Sequence, residues 1–154
     1  MTTTNTKITA PTATTADAAA DDGLGSPTPV DRFIASVEQG RPLDLQILHP
    51  EVALDATVPN WRFHRQGADA VATELAGFYD GPGHLELVRR VLLPGGELVE
   101  ITRSWTEDGV PHLSHQAHVI DLTPDGRIVR DTLFCGGRWP ADLLAEMEAA
   151  DADA

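Results

Sequence analysis

His118 and Asp131 are the residues whose types and spacing could do acid–base chemistry in this chain. The turn sequence Pro124-Asp125-Gly126 separates two β-branched-rich runs, 112–122 and 127–135. A two-residue turn at Asp125-Gly126 pairs Pro124 with Arg127, and that register sets His118 across from Leu133 and Ile120 across from Asp131. Asp131 is then the diagonal neighbour of His118 on one sheet face, about 5.5–8 Å away between Cβ atoms and within side-chain reach. A carboxylate so placed fixes the imidazole tautomer and stabilises the imidazolium. His118 becomes a general base of the residue type suited to work near neutral pH.

Strand alternation extends the site. If His118 points inward, so do Ser114, Gln116 and Ile120, while His115, Ala117, Val119 and Asp121 point away. On the preceding strand Val99, Ile101 and Arg103 share the inward face. There the Arg103 guanidinium could hold an oxyanion or a substrate carboxylate, or could neutralise Asp131 or Glu100. Phe33, Trp61, His64, Ile101, Ser114, Gln116 and Leu133 complete the expected substrate-binding set. A His bonded to an Asp is also an ordinary satisfied polar pair of a core, and in that reading the same residues do no chemistry.

Other candidates are weaker. His112, His115 and His118 have the look of a metal run, yet alternation sends His115 to the opposite face and parts the other two by about 20 Å. No metal and no cofactor is expected. Cys135, the single cysteine, has no companion base beside it and reads as a small buried hydrophobe. Trp105 and Trp139 read as core or interface.

The elements that must position these groups follow from periodicity and turn chemistry. Thr28-Pro29 caps a helix in which Val30, Phe33, Ile34 and Val37 form one stripe until Gly40 stops it. A second short helix is expected from Pro42, carrying Leu43, Leu45, Ile47 and Leu48 and ended by His49-Pro50. Residues 52–58 read as a first strand. After Gly67 a third helix places Val71, Leu75 and Phe78 on one face. The runs 85–93, 97–105, 112–122 and 127–135, separated by Pro94-Gly95-Gly96, Glu107-Asp108-Gly109 and Pro124-Asp125-Gly126, read as an antiparallel meander. Trp139-Pro140 leads into a terminal helix over 141–150. The fold class expected is α+β: a cone-shaped, curved antiparallel sheet covered by N-terminal helices and holding a pocket.

Length and charge bound the function. With 154 residues, one domain is the default. Residues 1–27 are mostly Thr, Ala, Asp and Gly and read as a disordered tail, 28–140 as the folded domain, and 141–154 as a helix with an acidic tail. A net charge of −13 repels phosphate backbones and anionic lipid heads, which argues against nucleic acid and membrane partners. No apolar run approaches a membrane span and no basic, apolar leader opens the chain, so a soluble cytoplasmic protein is expected. One cysteine suits a reducing compartment.

Four short motifs, in order, carry a resemblance. They are Arg32-Phe33-Ile34 to Val37-Glu38-Gln39-Gly40, His49-Pro50-Glu51-Val52, Gly67-Ala68-Asp69-Ala70-Val71 and Asp125-Gly126-Arg127-Ile128-Val129. Over about residues 28–140 the chain resembles the nuclear-transport-factor-2-like superfamily, particularly its SnoaL-like polyketide cyclase and ketosteroid isomerase branches. The resemblance implies a conical pocket, with a pocket lip where Trp61, Phe63 and His64 stand unless those aromatics serve packing, and, commonly, a homodimer. Steroid isomerases of this kind use an Asp base with a Tyr and a protonated Asp that stabilise an enolate. Laid on that pattern, this chain has Phe33, Ala56 and His118 at the Tyr, base and second Asp positions. The epoxide hydrolase branch implies an Asp after an aromatic residue late in the last strand, where this chain has Phe134-Cys135-Gly136.

The expected function is a cofactor-free isomerase, cyclase or dehydratase acting by proton transfer on a hydrophobic carbonyl compound. His118 is the base, Asp131 orients it and Arg103 stabilises the oxyanion. Replacing His118 with Ala is expected to remove activity and leave the melting temperature near wild type. The alternative is a non-catalytic ligand-binding or dimerisation module, and the outward row of Ala117 and Val119 is the expected self-association face.

Overall fold

Thr28 accepts the Asp31 backbone N–H while the Asp31 carboxylate accepts the Thr28 backbone N–H, a capping box that starts helix α1 (Pro29–Gln39). Gly40 ends it in the left-handed conformation, and the Arg41 N–H closes on the Ser36 carbonyl. This computed structural model describes residues 26–152. Except for Ser26 and Pro27, both exposed, the tail expected over 1–27 lies outside the described residues.

The second short helix is corrected. Only a single 3₁₀ turn, Leu45–Ile47, forms there. Leu48, His49 and Pro50 already belong to strand β1 (Leu48–Val58), because Pro50 sits at the irregular start of its pairing, where a missing N–H is tolerated. Trp61, Phe63 and His64, read as a pocket lip, stand on strand β2 (Trp61–Gln66), hairpinned onto β1 through Pro59-Asn60. Asn60 has φ 62°, and Pro followed by a left-handed Asn is type II turn chemistry.

Helix α2 (Ala68–Phe78) follows Gly67 and buries Val71, Ala72 and Leu75. The meander then runs as β3 (His84–Leu93), β4 (Gly96–Glu107), β5 (Val110–Leu122) and β6 (Ile128–Cys135). A two-residue β7 (Trp139–Pro140) pairs with β5 before helix α3 (Ala141–Ala152). The main sheet order is β2-β1-β6-β5-β4-β3, antiparallel except where β1 runs parallel to β6. The result is a curved, unclosed, mostly antiparallel sheet with few helices, the α+β architecture expected. No helix among the described residues is long and apolar enough to cross a membrane.

Arg90 ties helix to sheet. Its guanidinium reaches Asp31 at 2.5 Å in the first turn of α1 and also pairs with Glu97 at the start of β4. The core lies between the inner sheet face and the helices, with Phe33, Ile47, Leu54, Ile101, Ile120 and Leu133 all buried.

Candidate functional site

The β4–β5 hairpin turns at Asp108-Gly109, both at positive φ, which is type I′ geometry. It fixes Val99 across from His118, Ile101 across from Gln116 and Arg103 across from Ser114. Alternation then places Ser114, Gln116, His118 and Ile120 inward and buried, as the sequence predicts.

On the other side of β5, His118 lies across from Leu133 and Ile120 from Asp131, also as predicted. The route differs. The turn is three residues long, Pro124 to Gly126, closed by the Thr123 N–H on the Arg127 carbonyl and the Gly126 N–H on the Thr123 carbonyl. Leu122 therefore pairs with Ile128, and a bulge before Asp121–Arg130 restores the predicted register.

His118 Nδ1 stands 3.0 Å from Asp131 Oδ2 and 3.1 Å from Oδ1. His118 is 0% exposed and Asp131 2%. The Phe33 ring meets the imidazole edge-on at 5.1 Å. The imidazole's other nitrogen, Nε2, lies 2.9 Å from Tyr79 Oη, which donates to Gln116 Oε1 at 2.6 Å. The Gln116 amide donates in turn to Ser114 Oγ at 2.7 Å.

Proton counting orders this chain of bonds. The phenol has one proton, and its short bond to Gln116 Oε1 takes it. The Nδ1 contact sets the imidazole against the carboxylate, and Nε2 and Gln116 Oε1 share the phenol as neighbour, so the row runs carboxylate, imidazole, phenol, amide and hydroxyl. Burial, and then the Asp131 charge, hold the Tyr79 hydroxyl well above its ordinary range, so it stays a proton carrier.

Tyr79 is the residue the sequence reading missed. It follows α2 at the spacing Val71, Leu75, Tyr79, one stripe of the same helical face, and that spacing was the signal. Its backbone N–H on the Leu75 carbonyl at 2.9 Å extends the helix to place it.

Arg103 is 3% exposed, yet none of the ion pairs among the described residues includes it. It neutralises neither Asp131 nor Glu100, which pair with His118 and with Arg89 and His115. Its Nε donates to the Val37 carbonyl at 3.3 Å and its Nη2 to the Gly81 carbonyl at 2.6 Å. The guanidinium also lies over the rings of Tyr79 and Trp105, 5.7 and 5.3 Å from their centroids. Burial lowers its pKa from the usual arginine value.

A cavity of about 310 Å³ opens against this group, lined among others by Phe78, Tyr79, Arg103, Trp105, Ser114 and Gln116. That is the small end of the roughly 300–1,000 Å³ of ligand pockets. Among the described residues every buried side-chain nitrogen and oxygen has a partner; Arg103 Nη1 makes no hydrogen bond there, so it is not fully buried, and Arg103 lines the cavity.

The expected site residues therefore divide. Arg103, Ser114 and Gln116 line the cavity. His118 and Asp131 lie behind Tyr79 and Gln116, inside the core. Phe33, Ile101 and Leu133 are buried around that pair and do not border the cavity. Trp61 is 70% exposed on β2, and His64 is exposed beside Asp55 at 3.5 Å, so neither forms a lip of this cavity. A fully buried His118 also overturns the expectation that His118→Ala spares stability. Cys135 lines the cavity half-buried, and burial raises its thiol.

No family model matches the chain, and no curated protein matches it. Solved structures do. One is described as a hypothetical protein with a ketosteroid isomerase-like fold from Catenulispora acidiphila, in complex with trimethylamine. It is 12% identical, with a TM-score of 0.59 over 73% of this chain and 88% of its own. SalBIII, an epoxide hydrolase/cyclase-like enzyme in pyran ring formation in the polyether salinomycin, is 16% identical, with a TM-score of 0.59 over 70% and 88%. An epoxide hydrolase of the LEH-like type from M. tuberculosis is 15% identical, with a TM-score of 0.53 over 70% and 79%.

Proposed function

We propose that this chain, which has the nuclear-transport-factor-2-like fold, is a cofactor-free enzyme that moves a proton on a small apolar carbonyl compound. One observation carries the reading: a buried imidazole–carboxylate pair reaches a ligand-sized cavity through a single phenol, beside a buried arginine with no carboxylate partner. Fold alone assigns no reaction, and the argument rests on that arrangement.

Tyr79 Oη is the group that meets substrate. Its proton, held by Gln116 Oε1 in the free protein, turns to the carbonyl oxygen and is replaced from His118 Nε2, leaving a neutral imidazole on Asp131. Arg103 Nη1 takes the partial charge on the same oxygen. The proton on the neighbouring carbon leaves to water, an enol results, and His118 is reprotonated from solvent. His118 and Asp131 act through Tyr79 and are positioning residues. The phenol that the family resemblance implies on the first helix, at Phe33, is supplied here from the end of α2.

A panel of cyclohexanone and methyl ketones in D₂O, followed by proton NMR, tests this. Wild type should exchange the protons next to the carbonyl faster than buffer, and Tyr79→Phe should not. A second reading has its own support: among the described residues every buried side-chain nitrogen and oxygen is already partnered. In that reading the chain is a binding module, and ketones bind without exchange. For self-association we favour the outer sheet face, where Phe134, 51% exposed, adjoins Ala117. Light scattering at micromolar concentration reads it.

A further inference from the structure

A second cavity, about 340 Å³, lies beside the first and shares Phe78, Cys135 and Arg138 with it. Its remaining lining is Val58, Pro59, Phe63 and Gly137, from the β1–β2 hairpin and the segment after β6. The two spaces have different chemistry. The inner one presents a phenol, a guanidinium, an amide and a hydroxyl. The outer one presents hydrocarbon and backbone, and Arg138, the charge between them, is engaged with Glu107 and laid over Trp105 at 5.4 Å.

Phe78 stands on the boundary, half-buried, its ring edge-on to Tyr79 at 5.1 Å. Phe78 is the last residue of α2 and lines both cavities, so open space borders it on two sides.

We infer that Phe78 is a partition between two halves of one elongated site, and that the substrate carries an unbranched apolar tail of several carbons behind its carbonyl. The inference rests on the proposed head site at Tyr79 and Arg103 and adds the tail. The head enters the inner cavity, the tail passes Phe78, and the Val58, Pro59 and Phe63 surface receives it. Apolar area removed from water strengthens binding by about fourfold per methylene. Phe78 is thus a specificity-determining residue, selecting by chain length.

The test uses the full chain and the series from 2-butanone to 2-nonanone, with affinity read by ligand-observed NMR, independent of turnover. In wild type, affinity should climb along the series. Phe63→Asp, at a residue that lines the outer cavity and not the inner one, should, in protein shown folded by circular dichroism, leave 2-butanone affinity unchanged and remove the gain of the longer members. Phe78→Ala should raise the affinity of 2-nonanone relative to 2-butanone, because no ring has to move. A climb that Phe63→Asp leaves intact overturns the inference, as does a Phe63→Asp loss equal for short and long ketones. If 2-butanone binds and longer ketones gain nothing, the tail site alone falls. If no ketone binds at all, the head site falls and the tail site with it.

Discussion

Tyr79 Oη stands 2.9 Å from His118 Nε2, and Tyr79 rather than His118 lines the cavity. A proton that Nε2 delivers along this row crosses that oxygen. The same contacts make the phenol structural, since its removal strands His118 Nε2 and Gln116 Oε1 without the hydroxyl they share.

Tyr79→Phe therefore has two separable effects. Turnover in the deuterium-exchange assay should fall by about 10²–10⁴-fold, the usual contribution of a positioned acid. Stability should fall by about 1–3 kcal/mol for the two stranded polar atoms. Denaturant unfolding gives the second figure. A variant that unfolds at wild-type denaturant concentration shows that the bonds to Tyr79 carry no stability.

Tyr79 is the only tyrosine in the chain, so absorbance at 295 nm reports its ionisation alone. Burial, with the Asp131 charge second, raises its folded pKa well above the ordinary 10 of the unfolded chain. The folded state then holds a proton that the unfolded state releases. The contribution to stability is whole below about pH 10 and is lost as pH rises from there to the folded value, at up to 1.36 kcal/mol per pH unit. Tyrosinate absorbance should appear together with unfolding. Absorbance that titrates near pH 10 in protein still folded by circular dichroism contradicts the buried placement.

Asp131 neutralises a fully buried imidazole, and removing one partner of such a pair costs about 3–5 kcal/mol. Asp131→Val should lower stability by that amount. Combining it with His118→Leu should restore much of the loss while leaving the exchange reaction abolished, because an apolar replacement of both partners strands no charge. A double variant no more stable than Asp131→Val alone would mean that the pair contributes packing rather than charge compensation.

The strands and the dyad were legible because β-structure repeats every two residues. Once Leu133 is paired with His118, the faces of Ser114, Gln116 and Asp131 follow, even though the hairpin loop is one residue longer than read and a bulge removes the error. Trp61 and His64 were misplaced because the Pro59-Asn60 turn was not recognised, so a strand was taken for a lip. Tyr79 was missed because the helical stripe was ended at Phe78. The depth of His118 was beyond reach for another reason: alternation tells which face a side chain takes, and only three-dimensional packing tells what stands in front of it.

Gly40 links the fold to Arg103. At φ 60° it ends α1, and a Cβ there falls 1.8 Å from the Gly81 carbonyl oxygen, the acceptor of Arg103 Nη2. Gly40→Ala must therefore displace the Gly81 backbone as well as adopt a left-handed conformation that alanine disfavours by about 1–2 kcal/mol. Stability should fall by more than that conformational cost. Arg103 should lose its anchor at the same time, so ketone affinity should weaken in the protein that remains folded. Gly77→Ala, at an open helical site, serves as the stability control and should be neutral or slightly stabilising. If Gly40→Ala melts together with Gly77→Ala and binds 2-butanone as wild type does, the close approach of Gly40 to Gly81 does not hold Arg103 in place.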